Sequence, residues 1–144
     1  MDINEFFRDA RFVADFAFNY STMQVDENIP CRRTRIILVD GESVSVQANE
    51  YAYCSPRENM FLDELSRYDT PYFKYEIGFP SFKADEWMEY AEQPEQPTDT
   101  VYGYVPVDVV RAVLDAHGGI DVEATLAFKK KREEERAKKS KENK

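Results

Sequence analysis

A chain of 144 residues with 42% hydrophobic residues can bury one core and needs no disulfide or metal staple to fold. Its net charge of −9 is divided: residues 129–144 hold nine Lys/Arg against four Glu (+5), and residues 1–128 hold ten Lys/Arg against 24 Asp/Glu (−14). So acidic a body excludes nucleic-acid binding by bulk charge and suits a basic protein partner, or serves solubility alone.

In chain order, residues 4–20 predict a helix. Phe6, Phe7, Ala10, Val13, Ala14 and Ala17 share one stripe at helical spacing, and Phe12, Phe16 and Phe18 widen it. That surface is expected to pack on a sheet or to dock on a second copy of the chain. "STMQVDENIP" predicts a loop ending at Pro30. "TRIILVDGESVSVQA" predicts a β-hairpin: Ile36–Val39 is rich in branched residues, Asp40-Gly41 supplies turn chemistry, and Val44 and Val46 alternate with Ser43, Ser45 and Gln47. Tyr51 and Tyr53 continue an extended pattern that Cys54 is expected to end, facing inward.

Ser55, Pro56 and Glu58 have the spacing of a capping box with proline in the first turn, and predict a short helix over "PRENMFLDELSR". "YFKYEIGF" predicts a strand, and "SFKADEWMEYAE" a second short helix with Ser81 as its cap. "EQPEQPTD" is a stiff, polar linker. "TVYGYV" predicts another strand. Pro106 then opens a helix with Val107, Val110, Val113 and Leu114 as its apolar stripe and Gly118-Gly119 as its stop. Residues 129–144 predict a frayed helix or a disordered basic tail beyond a single domain of residues 1–128. Clustered strands without regular βαβ alternation predict an α+β fold with a mostly antiparallel sheet of about four strands.

Few constellations carry chemistry. Cys54 before a helix start would be activated by backbone N–H groups, and Arg57 would sit beside it. A cysteine-phosphatase loop requires a cysteine, five intervening residues and then arginine, and here that position is Met60. Glycines for a phosphate cradle are missing too. Cys54 and Arg57 therefore stand as an alternative reactive or ligand-binding site, against a buried structural thiol. His117 is the single histidine and lies in the last turn of a helix, where the dipole favours it. With Cys31 and Cys54 outside any short Cys-x-x-Cys unit, no metal site is assigned. No glycine-rich nucleotide motif occurs, and no cofactor and no catalytic residue are assigned. The start "MDINEFFRDARF" lacks the apolar segment of a signal peptide, and no run reaches the ~18 apolar residues of a membrane span. A cytoplasmic protein with reduced thiols, away from membranes, is expected.

One stretch stands out by charge. Asp85, Glu86, Glu89 and Glu92, then Glu95 and Asp99, surround Trp87, Met88 and Tyr90 with no Lys or Arg among them. It is either a solvated face or a contact patch whose rings anchor and whose carboxylates steer a basic partner. "SVSVQANEYAYCSPREN", "YEIGFPS" and "PTDTVYGYVPVDVVRAVLDAHGGI" together resemble small proteins from phages and mobile elements of gut bacteria, over residues 35–120. The resemblance brings no activity and no site residues. It implies an accessory gene whose product binds a host or element protein. The leading expectation is thus a non-catalytic binding protein, in one version a counter-defence inhibitor of a nucleic-acid-handling enzyme. A small enzyme using Cys54 and Arg57, and a self-assembling protein using its first helix, are the rivals.

Overall fold

In a computed structural model, which describes residues 1–142, the N-terminal segment divides into three elements. Helix α1 (Ile3–Arg8) is capped by Asp2, whose carboxylate accepts from the Asn4 N–H at 3.1 Å. Asp9 then caps a 3-10 turn (Ala10–Phe12) in the same way, and strand β1 (Val13–Asn19) follows. The single helix expected over 4–20 is therefore wrong beyond Arg8. Apolar residues at nearly every position satisfy a period of 2 as well as one of 3.6, and the Asp9 cap decides between them. The expected loop is also a strand, β2 (Gln24–Arg33), paired antiparallel with β1 through a bulged register. Pro30 is tolerated there because the hairpin is an edge.

The second sheet carries the core. Its order is β3 (Ile36–Ile37), β4 (Ser43–Gln47), β5 (Lys74–Gly78), β6 (Val101–Pro106), all antiparallel. The fold is α+β: a four-stranded antiparallel sheet, a two-stranded hairpin and packed helices. The Asp40-Gly41 turn is as expected, with Gly41 at φ +91°. Val44 and Val46 point inward while Ser43, Ser45 and Gln47 stay half-buried.

Phe6, Phe7 and Phe12 are fully buried against this sheet, with the Phe7 ring edge-on to Tyr72 and Tyr75. The Tyr75 hydroxyl donates to Asn4 at 2.9 Å, so the buried ring keeps its polar end satisfied. Because α1 spends its phenylalanines on the core, it offers no apolar face to a second copy. The exposed apolar side chains of this region lie at the hairpin tip instead: Phe18, Tyr20, Met23 and Val25.

Helix α2 is one turn (Leu62–Leu65), later than expected. Ser55, Pro56 and Glu58 do not cap it; its start is closed by the Glu64 carboxylate accepting from the Phe61 N–H at 3.2 Å. Helix α3 (Val107–Ala116) starts at Pro106 and buries Val110, Val113 and Leu114, as the stripe predicts. Gly118 and Gly119, at φ +88° and +84°, turn the chain, and Gly118 packs so closely on Val39 that a Cβ would lie 2.8 Å from the valine's own. Helix α4 (Val122–Glu142) then runs unbroken across position 128. It is docked by the buried Thr125, whose hydroxyl accepts from the Ile37 N–H at 3.0 Å and donates to the Ile37 carbonyl at 3.2 Å. The final two residues of the expected tail lie outside the described residues.

Candidate functional site

The acidic stretch folds as a 3-10 turn (Asp85–Tyr90) rather than an α-helix. Ala84 precedes it and offers no side-chain cap, while Ser81 is engaged elsewhere, with Glu42 and the Ser43 N–H. Trp87 is fully buried between Phe82 and Tyr102, and its indole N–H donates to the Val109 carbonyl at 3.3 Å. This corrects its assignment as a partner anchor: the ring fastens the stretch to the core. Tyr90 is half-buried against the same core. Asp85, Glu86, Glu89 and Glu92 are exposed, so the surface here is mainly carboxylate, with only part of Tyr90 beside it. The following proline segment is laced to β6, not a free linker. Glu92 N–H donates to the Val101 carbonyl at 3.0 Å, Gln93 N–H to the Thr100 hydroxyl at 2.9 Å, and the Tyr102 hydroxyl to the Pro97 carbonyl at 2.5 Å.

"EYAYCSPREN" is a looped corner, and Asn49 organises it. Its side-chain oxygen accepts from the Tyr51 and Ala52 N–H groups, both at 2.8 Å, and its amide donates to the Cys31 carbonyl at 2.8 Å. Tyr51 and Tyr53 are not strand residues. Cys54 does face inward and is buried, its sulfur 3.2 Å from the Asn49 carbonyl. Burial pushes the thiol up from its ordinary value, opposite to what a nucleophile requires. Arg57 turns its guanidinium to the Glu50 and Tyr51 carbonyls, at 3.2 and 3.3 Å, and over the Tyr53 ring at 5.3 Å. The two residues therefore do not form an electropositive thiolate site.

The same corner displays rings. Tyr51, Tyr53 and Tyr104 are 70%, 39% and 42% exposed, and the Tyr53 and Tyr104 rings lie 6.0 Å apart. Tyr104 N–H donates to the Tyr53 carbonyl at 2.9 Å, and Tyr53 N–H to the Glu76 carboxylate at 2.7 Å. Gly103 permits the approach, since a Cβ there would lie 3.2 Å from that of Tyr53. Tyr104 sits at φ +56°, a costly conformation for a tyrosine and of the kind that collects at functional surfaces. In the sequence Tyr104 has the pattern of an ordinary strand residue, and only the Gly-Tyr pair in "TVYGYV" marks it.

Both features bond to β6, the last strand of the sheet, and the tyrosine corner also pairs with β5 through Ser55 and Lys74. The acidic segment bonds at Val101 and the tyrosine corner at Tyr104, three residues or about 10 Å along the strand. Elsewhere, His117 caps α3 at its C-terminus, stacks on Phe82 at 4.1 Å and meets Asp40. Among the described residues no group of three His, Cys, Asp or Glu side chains could hold a metal ion, and no helix is long and apolar enough to cross a membrane. No protein-family model, curated protein or solved structure matches the chain.

Proposed function

We propose that the chain is a protein-binding accessory factor that grips its partner along the β6 edge. The observation that carries this is that the corner with Tyr51, Tyr53, Tyr104 and Arg57 and the segment with Asp85, Glu86, Glu89 and Glu92 both attach to the same strand, at Tyr104 and Val101. Tyrosine and arginine dominate binding hot spots, because each covers a large area with few rotors and keeps a polar end. The neighbouring carboxylates favour a basic partner and raise its rate of encounter. The resemblance of residues 35–120 to mobile-element proteins supports a setting in which that partner is a host enzyme. A nucleic-acid-handling enzyme, with its basic groove, fits the charge.

The test is affinity purification from the native host with three proteins: wild type, Tyr51→Ala/Arg57→Ala, and Glu86→Lys/Glu89→Lys/Glu92→Lys. All five positions are exposed, so the variants keep the fold. Loss of the hot-spot pair should weaken capture by about 30-fold or more, and charge reversal should slow association and remove its salt dependence. Identical capture by all three proteins would sink the assignment. Self-assembly through the exposed hairpin tip at Phe18, Tyr20, Met23 and Val25 is a second reading, and light scattering that shows a strict monomer ends it.

A further inference from the structure

A concentration of positive charge lies away from that edge. A cleft of about 290 Å³ opens between the end of the β1–β2 hairpin and the middle of α4. Arg32, Arg33 and Arg35 line it from one side, and Lys129, Arg132 and Arg136 from the other. Three carboxylates temper these six cations. Asp15 meets Arg32 at 2.6 Å and Arg136 at 3.7 Å, Glu133 meets Lys129 at 3.0 Å, and Glu135 meets Arg132 at 3.4 Å. Among the described residues no carboxylate pairs with Arg33 or Arg35, so the site keeps a net positive charge within a chain of −9.

Of these two unpaired arginines, Arg33 is buried and Arg35 is half-buried. Arg33 is 1% exposed, donates to the Phe7 carbonyl at 2.9 Å, stacks over the Phe7 ring at 4.4 Å and leaves its Nε without a partner. Burial lowers its pKa to about 10. Arg35 is held by the Ser43 hydroxyl at 2.9 Å and by the Phe79 carbonyl at 2.6 Å, and burial lowers it too. A desolvated cation without a counter-ion is costly, and an anion in the cleft would offset that cost.

Helix α4 adds a second feature. Phe128, Arg132 and Arg136 follow one another at spacing four, so one face of the helix presents a ring and then two guanidinium groups to the cleft. Both arginines are well exposed, at 61% and 55%, with loose carboxylate contacts that leave donors available. Guanidinium forks match phosphate oxygens, and the adjacent ring suits a flat apolar body. The cleft is at the small end of the range for ligand sites, which is about 300–1,000 Å³.

We propose that this cleft binds a small phosphate-bearing molecule of mononucleotide size. Its phosphate lies between Arg132 and Arg136, its flat body rests against Phe128, and the half-buried Arg35 and the core-facing Arg33 add positive charge from the opposite wall. This site is independent of the β6 edge, so either can fail without the other.

Calorimetric titration of the full chain with AMP, ADP and adenosine, at low and high salt, tests it. A single-stranded oligonucleotide series is run alongside. AMP and ADP should bind with one-to-one saturation, ADP the tighter, and adenosine should not bind. Raising salt should weaken both nucleotides, and Arg132→Gln/Arg136→Gln should weaken them by about tenfold or more while leaving the circular dichroism unchanged. The proposal is overturned if neither nucleotide saturates. It is equally overturned if the double variant binds as wild type does, or if only oligonucleotides bind, with affinity that grows with length.

Discussion

The β6 edge and the α4 cleft carry opposite charge, and they are assembled by opposite routes. At the edge, acidity comes from one continuous segment, and a single strand fixes that segment and the tyrosine corner within about 10 Å. In the cleft, two basic segments almost a hundred residues apart meet only because Thr125 docks α4 on β3. Charge read along a chain therefore finds the first kind of surface and misses the second. The overall balance of −9 conceals a concave cationic site because the fold gathers the minority charge.

The largest break in this contrast is Trp87→Ala. The indole is the fastener of the acidic stretch, so its loss leaves a cavity beside Phe82 and Tyr102 and removes the tie to the Val109 carbonyl of α3. Urea unfolding should show a loss of about 3–5 kcal/mol. An exposed anchor would cost almost nothing in the free protein, so a change below about 0.5 kcal/mol returns Trp87 to the partner surface.

Thr125→Val acts on the other region. It keeps the shape of the side chain and removes the acceptor for the Ile37 N–H, while the Ile37 carbonyl retains the Asp121 N–H at 2.9 Å. Equilibrium unfolding should report a loss of about 1–3 kcal/mol. Nucleotide affinity should fall with it, because α4 supplies half of the cleft, while partner capture at the β6 edge stays unchanged. If the variant is as stable as wild type, the hydroxyl is not what seats the helix.

A smaller effect separates the two thiols. Iodoacetamide at neutral pH should modify the half-buried Cys31 and leave Cys54 at least about tenfold slower, until denaturant exposes it. Burial also raises the Cys31 thiol, so neither should react at the rate of a free cysteine. Native-state labelling of Cys54 would restore the reactive site at Cys54 and Arg57.

How much of this was legible follows the same division. The Asp40-Gly41 hairpin, β5, β6 and α3 are visible because turn glycines, alternation and a valine stripe each admit one period. β1 was hidden because "FFRDARFVADFAF" is apolar at every spacing. β2 is hidden because "QVDENIPCRR" is exposed at four of its first five positions and shows no alternation. The tyrosine corner was visible as rings, but not as a positive-φ Tyr104 locked to Tyr53. Arg32, Arg33 and Arg35 carry no mark of a site until α4 lies over them.

The least of the effects lies outside both regions and serves as their control. Asp2 joins the start of α1 to α3, accepting from Arg111 at 2.6 Å while it caps the Asn4 N–H. The Arg111 guanidinium, and then the Asn4 N–H, hold its carboxyl below the usual carboxylate range in the folded chain. A depressed folded-state pKa contributes stability that is fully present above the unfolded value of about 3.9 and is lost as pH falls through the folded value. Both side chains are about one-third exposed, so solvent screens the pair and its contribution is below about 1 kcal/mol. Asp2→Asn keeps an N-cap and removes the charge. Urea midpoints at pH 7 and pH 3 should therefore differ less for Asp2→Asn than for wild type, with nucleotide binding and partner capture at pH 7 unchanged. Equal acid sensitivity in the two proteins would mean that the pair positions the α1 N-terminus without stabilising it. The coupling between α1 and α3 would then rest on the phenylalanines of the core.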